Sequence, residues 1–518
     1  MNARQMIGQR LFSGFPGTSM SEDFIHLVKE HKVGNAILFR HNIENIRQLK
    51  ELCISIQELV HAETGYPAFI AIDQEGGAVT RLPPDATNVP GAMALAATGK
   101  TEYAKEAALI TGRELLALGP NFNLAPVMDI NSNPENPVIG VRSYGEDCET
   151  VIAFGTAAME GLAEAGILAA AKHFPGHGDT NLDSHLSLPV VHKSREELDA
   201  LELRSFKAAI GAGIPAVMSS HILFPALEKE RVPATMSRSI ITKLLKGELG
   251  FQGLVISDCL EMDAIKEYYG TVKGTLAAMA AGVDMIFISH TASLAAEAAV
   301  AAEAAYLAGQ LDPAEMSASV SKILDYKARY LSKSVGDFSI VGSAAHRQRA
   351  EAILKESLCE VNLPPEGQPD LGKSPWFLGC SAFLTTLASN KEDKSLSFSR
   401  TMAEALGGEA TETSIDPTAQ EIAELVPRAR GHSCIVLGTY NGHLKRGQIE
   451  LAKALQSSGI PLIVVALRNP YDLAEFDQSV CTFATFEYTP QSLRALTRVL
   501  SKTSMATGIL PVKEHSDA

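Results

Sequence analysis

Seven short apolar runs, separated by amphipathic stretches, recur between residues 35 and 288: NAILFR (35–40), AFIAID (68–73), FNLAPVMD (122–129), GILAAA (166–171), AVMSS (216–220), LVIS (254–257) and DMIFI (284–288). Apolar runs this short and continuous read as strands buried on both faces, and helical stretches between them read as the crossovers of a parallel sheet. Six of the seven lead into polar chemistry: Asp73, Asp129, Lys172-His173, His221, Asp258 and Ser289-His290. When parallel strands close into a barrel, their carboxyl ends meet on one rim, where active sites form. So many strands delivering functional groups to one edge favour a TIM-like (β/α)8 barrel over an open sheet. Because only seven strands are readable, an irregular barrel is expected.

Two helices, at 292–308 and 313–331, are expected to close this first domain, with Gly309 ending the earlier one. Periodicity fades across 333–344, which reads as a linker, so the expected division is 1–332 and 345–518. A chain of 518 residues exceeds what one core usually holds. Beyond a helix at 345–358, apolar runs at 376–379, 433–438, 461–466 and 481–485 predict a smaller α/β layered (αβα sandwich) domain. Gly407-Gly408 and Gly438 suit turns, and no Gly-rich phosphate loop of standard form is present.

The densest chemistry is KHFPGHGDTNLDSH (172–185), which packs three His and two Asp into one loop. Asp183 and His185 stand two apart and share a side wherever the chain is extended. A carboxylate there would fix the imidazole's tautomer and raise its basicity. A metal site built from His173, His177, Asp179, Asp183 and His185 is the competing reading. Against it, no helical His-Glu-x-x-His spacing occurs and no Cys is near, so neither metal nor cofactor is expected. Asp258, where an apolar strand meets the rim, suits a nucleophile opposite such an acid/base group; the alternative is a helix N-cap.

A net charge of −15 argues against nucleic acid and anionic membrane partners and leaves a small neutral molecule as the natural ligand. No secretory signal or span of about 20 apolar residues is readable, and the seven Cys are scattered singly. Both point to the cytoplasm.

AIDQEGGAVTRLP (71–83), APVMDIN with VIGVRSYGED (125–147), KHFPGHGDTNLDSH and LVISDCLEMDAI (254–265) together resemble family 3 glycoside hydrolases of the β-N-acetylglucosaminidase branch. LRNPYD (467–472) and TGILPV (507–512) resemble that family's second domain. The resemblance implies a retaining mechanism in which Asp258 attacks the anomeric carbon. His185, oriented by Asp183, would protonate the leaving oxygen and then deprotonate water. It also implies that Asp73, Arg142, Lys172 and His173, with Met218 and His221 close by, hold a terminal N-acetylglucosamine. Arg142 has a structural alternative, an ion pair with Glu146 or Asp147. The substrate so implied is a saccharide from cell-wall (muropeptide-type) fragments. Other readings are a phosphorylase in which phosphate intercepts the same intermediate, a metal-dependent barrel hydrolase, and a non-catalytic sugar-binding protein.

Overall fold

The computed structural model describes residues 1–180, 188–332, 336–381 and 396–513. Asp183, His185 and part of the expected linker lie outside the described residues. Eight parallel strands close into a barrel: β1 (Leu11–Ser13), β2 (Asn35–Leu38), β3 (Phe69–Ile72), β4 (Phe122–Asn123), β5 (Leu168–Phe174), β6 (Ala216–Ser219), β7 (Leu254–Cys259) and β8 (Met285–Ile288), with β8 pairing back to β1. The strand missing from the sequence reading is β1. Its three residues are too few to stand out as an apolar run.

Period-two alternation sorts each strand into a lumen row and an outer row. Phe69 and Ala71, Leu168 and Ala170, and Leu254 and Ile256 fill the lumen together with Phe12, Phe122 and Phe287. Ile70, Ile72, Ala169, Ala171 and Val255 face the surrounding helices. Phe12 stacks on Phe287 with ring centroids 4.1 Å apart. The helix Pro313–Leu331 plugs the amino-terminal mouth, where Ile323 joins the lumen cluster. There Lys327 Nζ donates to Gln9 Oε1 at 2.7 Å and to the Gly34 carbonyl at 3.0 Å. The barrel is therefore a packed core, closed at its amino-terminal mouth by this helix.

After the helix Ala344–Ser357 comes a six-stranded sheet: β9 (Cys359–Asn362), β10 (Pro375–Gly379), β11 (Glu409–Glu412), β12 (Cys434–Thr439), β13 (Leu462–Ala466) and β14 (Cys481–Ala484). Its order is β11-β10-β12-β13-β14-β9, parallel except for β9 at one edge. Alternate residues feed two cores, Trp376, Leu378, Ile435 and Val464 on one face and Phe377, Val436, Ile463 and Val465 on the other, so helices cover both sides. The barrel's Met93, Ala94, Ala97 and Val141 pack into the first of these cores. The tail returns to the barrel, with the Ile509 amide donating to the Ala97 carbonyl at 2.7 Å.

Candidate active site

The lumen rows run up to the carboxyl-terminal rim, inside the strand for Lys172, Met218 and Asp258 and one residue past β3 for Asp73. Residues 69, 71 and 73 on β3, 168, 170 and 172 on β5, 216 and 218 on β6, and 254, 256 and 258 on β7 each share a face. The same alternation that buries Phe69 and Leu254 thus aims Asp73, Lys172, Met218 and Asp258 at the rim. All four line a cavity of about 1100 Å³ together with Arg142 and His173. Its outer wall comes from the second part of the chain and includes Glu487, Tyr488 and Arg494.

A buried ionic cluster forms one side of this cavity. Lys172 Nζ lies 2.8 Å from Asp73 Oδ1 and 2.6 Å from Glu75 Oε1. Arg142 grips Glu75 with two bonds, Nε to Oε2 at 2.9 Å and Nη2 to Oε1 at 2.8 Å. Burial alone would raise the pKa of Glu75, but the adjoining Arg142 and Lys172 outweigh it and hold the carboxyl well below the usual range. Lys172 is likewise pushed down by burial, yet Asp73 and Glu75 carry it above the ordinary lysine value. Arg142 therefore pairs with Glu75 and not with its neighbours in sequence. Glu146 instead accepts from the Lys513 amide at 2.7 Å, and Asp147 caps the helix Cys148–Ala165.

Asp129, at the rim beyond β4, organises both histidines of the loop stem. Its carboxylate accepts from the His173 amide at 3.1 Å, from His173 Nδ1 at 2.6 Å and from the His177 amide at 2.7 Å. This assigns the His173 proton to Nδ1 and leaves Nε2 toward Arg142 Nη2, 3.5 Å away. Burial, with His173 beside it, pushes the His177 imidazole down to about 4, so it is neutral at physiological pH.

Asp258 Oδ1 accepts from the Cys259 amide at 2.7 Å. The next helix, Asp263–Lys266, takes Met262 as its N-cap, which sets the capping alternative aside. Burial pushes the Cys259 thiol up to about 12, leaving it inert beside that carboxylate. His221 is buried behind β7, with Nε2 at 2.9 Å from the Cys259 carbonyl and Nδ1 at 3.0 Å from Thr235 Oγ1. It braces the segment that carries Asp258. Among the described residues no group of three or more His, Cys, Asp or Glu is gathered as a metal site.

Residues 4–326 match the family model described as the glycosyl hydrolase family 3 N terminal domain. The chain belongs to glycosyl hydrolase family 3. Beta-hexosaminidase A of Pseudoalteromonas piscicida is 31% identical to this hydrolase over 99% of this chain and 97% of its own length. The structure of a family 3 β-N-acetylglucosaminidase from Paenibacillus sp. strain FPU-7 superposes with a TM-score of 0.92 at 38% identity, covering 100% of both chains. A beta-glucoside phosphorylase shares the fold at 22% identity and a TM-score of 0.85, over 100% of this chain and 95% of its own.

Several groups at the site of this family 3 hydrolase were given no site role from the sequence. Glu75 and Arg81 both lie inside the 71–83 motif, and Glu75 is two residues past Asp73, which was the available signal. Arg81 is buried at the cavity wall; burial lowers its pKa against the opposing pull of Asp73 and Glu75. Asp129 stood out only as a polar strand end. Glu487, contributed by the second domain, had no local signal at all.

Proposed function

We propose that this family 3 hydrolase is a retaining exo-β-N-acetylglucosaminidase that releases terminal N-acetylglucosamine from cell-wall (muropeptide-type) fragments in the cytoplasm. The barrel, residues 1–332, carries the chemistry, and residues 345–518 wall its cavity. The observation that carries this reading is the placement of Asp258 in the lumen row of β7, in one cavity with the Asp73–Lys172–Glu75–Arg142 cluster. The likeness over the full length of both chains to a β-N-acetylglucosaminidase supports the substrate class.

In this reading Asp258 attacks the anomeric carbon while His185 protonates the departing oxygen, giving a covalent glycosyl-enzyme. His185 then takes a proton from the incoming water, and sugar and enzyme separate. An imidazole with an ordinary pKa of about 6.5 can reverse roles near neutral pH, and Asp183 keeps it oriented. Asp73, Arg142 and Lys172 bind hydroxyls through charged, directional hydrogen bonds and His173 through its imidazole, with Met218 against the ring and His221 holding the nucleophile's backbone. No helix among the described residues is long and apolar enough to cross a membrane.

The test is hydrolysis of an aryl β-N-acetylglucosaminide by wild type, Asp258→Ala and His185→Ala, each with and without phosphate. Asp258→Ala is expected to fall to background, and His185→Ala to keep activity mainly on leaving groups that need no proton. Release of free N-acetylglucosamine unaffected by phosphate identifies a hydrolase. A sugar 1-phosphate product would make it a phosphorylase, and near-wild-type activity of Asp258→Ala would remove the nucleophile.

A further inference from the structure

We propose that the second domain is a clamp that positions the Glu75–Arg142 pair, with Asn469 and Glu487 as its positioning residues; this rests on reading that pair as part of the sugar site. Two contacts, made on opposite sides of the pair, carry the inference.

On the Arg142 side, Asn469 Oδ1 accepts from the Val141 amide at 2.9 Å. Gly140, with a φ of +46°, lies so close that a Cβ there would stand 2.4 Å from the same oxygen. Tyr471 Oη accepts from Asn131 Nδ2 at 2.6 Å, and Asn131 Oδ1 in turn accepts from the Gly140 amide at 3.0 Å. Both amides immediately before Arg142 are thus fixed from the second domain, one directly and one through Asn131. Val141 itself is buried in the second domain's core with Tyr471 and Phe486.

On the Glu75 side, Glu487 reaches between two barrel turns. Its Oε2 accepts from the Gly91 amide at 3.0 Å, and its Oε1 accepts from Thr489 Oγ1 at 3.0 Å. Gly77, two residues past Glu75 and at a φ of +51°, presses against it: a Cβ there would come within 2.7 Å of Oε2. Only glycine allows this approach. The two rim segments that bring Glu75 and Arg142 together are each backed by a side chain of the second domain. Because the Arg142–Glu75 pair is bidentate, its plane follows any shift of either backbone. A displacement of that kind weakens sugar binding before it touches the reacting atoms.

Asn469→Leu removes the acceptor at similar volume, and Asn469→Asp keeps it. The full-length variants are compared by steady-state hydrolysis of an aryl β-N-acetylglucosaminide and by amide hydrogen exchange at Val141, with thermal unfolding confirming that each is folded. Asn469→Leu is expected to raise KM about tenfold, the scale of one lost buried hydrogen bond, with kcat little changed. Exchange at Val141 is expected to quicken by a similar factor, and Asn469→Asp to bring both back toward wild type. A folded Asn469→Leu protein with wild-type KM and wild-type Val141 protection overturns the clamp. So does an Asn469→Asp protein as impaired as Asn469→Leu. If wild type does not cleave the glycoside, the proposed function fails while the exchange data still decide the clamp.

Discussion

A carboxyl group held between two glycine-bearing turns has almost no water with which to stabilise its charge. Glu487 is only 4% exposed, and burial pushes it up to about 7 despite the Gly91 amide and Thr489 hydroxyl that favour its ionised form. Its folded pKa lies above the ordinary value of about 4.3, so its contribution to stability is fully present below that value and is lost as pH rises through about 7. Glu487→Gln keeps an acceptor for Gly91 but never ionises. Its stability relative to wild type is therefore expected to rise by up to about 3 kcal/mol between about pH 4 and about pH 8. Thermal midpoints across that range check this; a flat or falling difference contradicts it. Glu487 also marks where reading by residue stops. Asp73, Lys172 and Asp258 were legible as polar groups directly following apolar runs, while Met218 came only with the family resemblance. Glu487 meets Gly91 across 396 residues of sequence, and nothing local encodes such a meeting. Arg142 shows the same limit, since its partner is Glu75 and not an acid on its own turn.

Elements were legible where burial was complete. Seven of the eight barrel strands and four strands of the second sheet are runs of apolar residues, and the helix Pro313–Leu331 keeps the predicted bounds. What was missed is short or lies at an edge: β1 has three residues, while β9 and β11, CEVN and EATE, are polar strands at the sheet's two margins. An edge strand half open to solvent has no reason to be apolar, so its sequence resembles a loop. The loop stem after β5 is a different kind of element, held by close backbone packing. A Cβ on Gly178 would come within 1.6 Å of the Ile130 carbonyl oxygen, and Asn136 Nδ2 donates to the His177 carbonyl at 2.8 Å. Gly178→Ala must therefore push apart the rims that follow β4 and β5, and with them the chain leading to Asp183 and His185. A displacement of about 1 Å in such a site costs about 10²-fold in kcat/KM. That loss is expected with the circular dichroism spectrum unchanged, whereas wild-type kcat/KM in Gly178→Ala would show that the packing does not govern the site.

At the scale of the molecule, two cores of different architecture share one cavity. The barrel supplies a floor of paired charges, and the second domain closes the wall and braces the turns that hold those charges. Nothing in the αβα sheet's own sequence announced this, because the contacts come from the connections leaving β13 and β14 and not from the strands. The double displacement requires Asp258 to become covalently bonded to the sugar. His185→Ala, given an aryl β-N-acetylglucosaminide whose leaving group needs no proton, should form the glycosyl-enzyme faster than it can activate water, so the intermediate accumulates. Mass spectrometry of the quenched, digested protein is expected to find one N-acetylglucosaminyl unit on the peptide containing Asp258, and none when Asp258→Ala is added. An adduct on another residue, or undiminished turnover without Asp258, would contradict the double displacement.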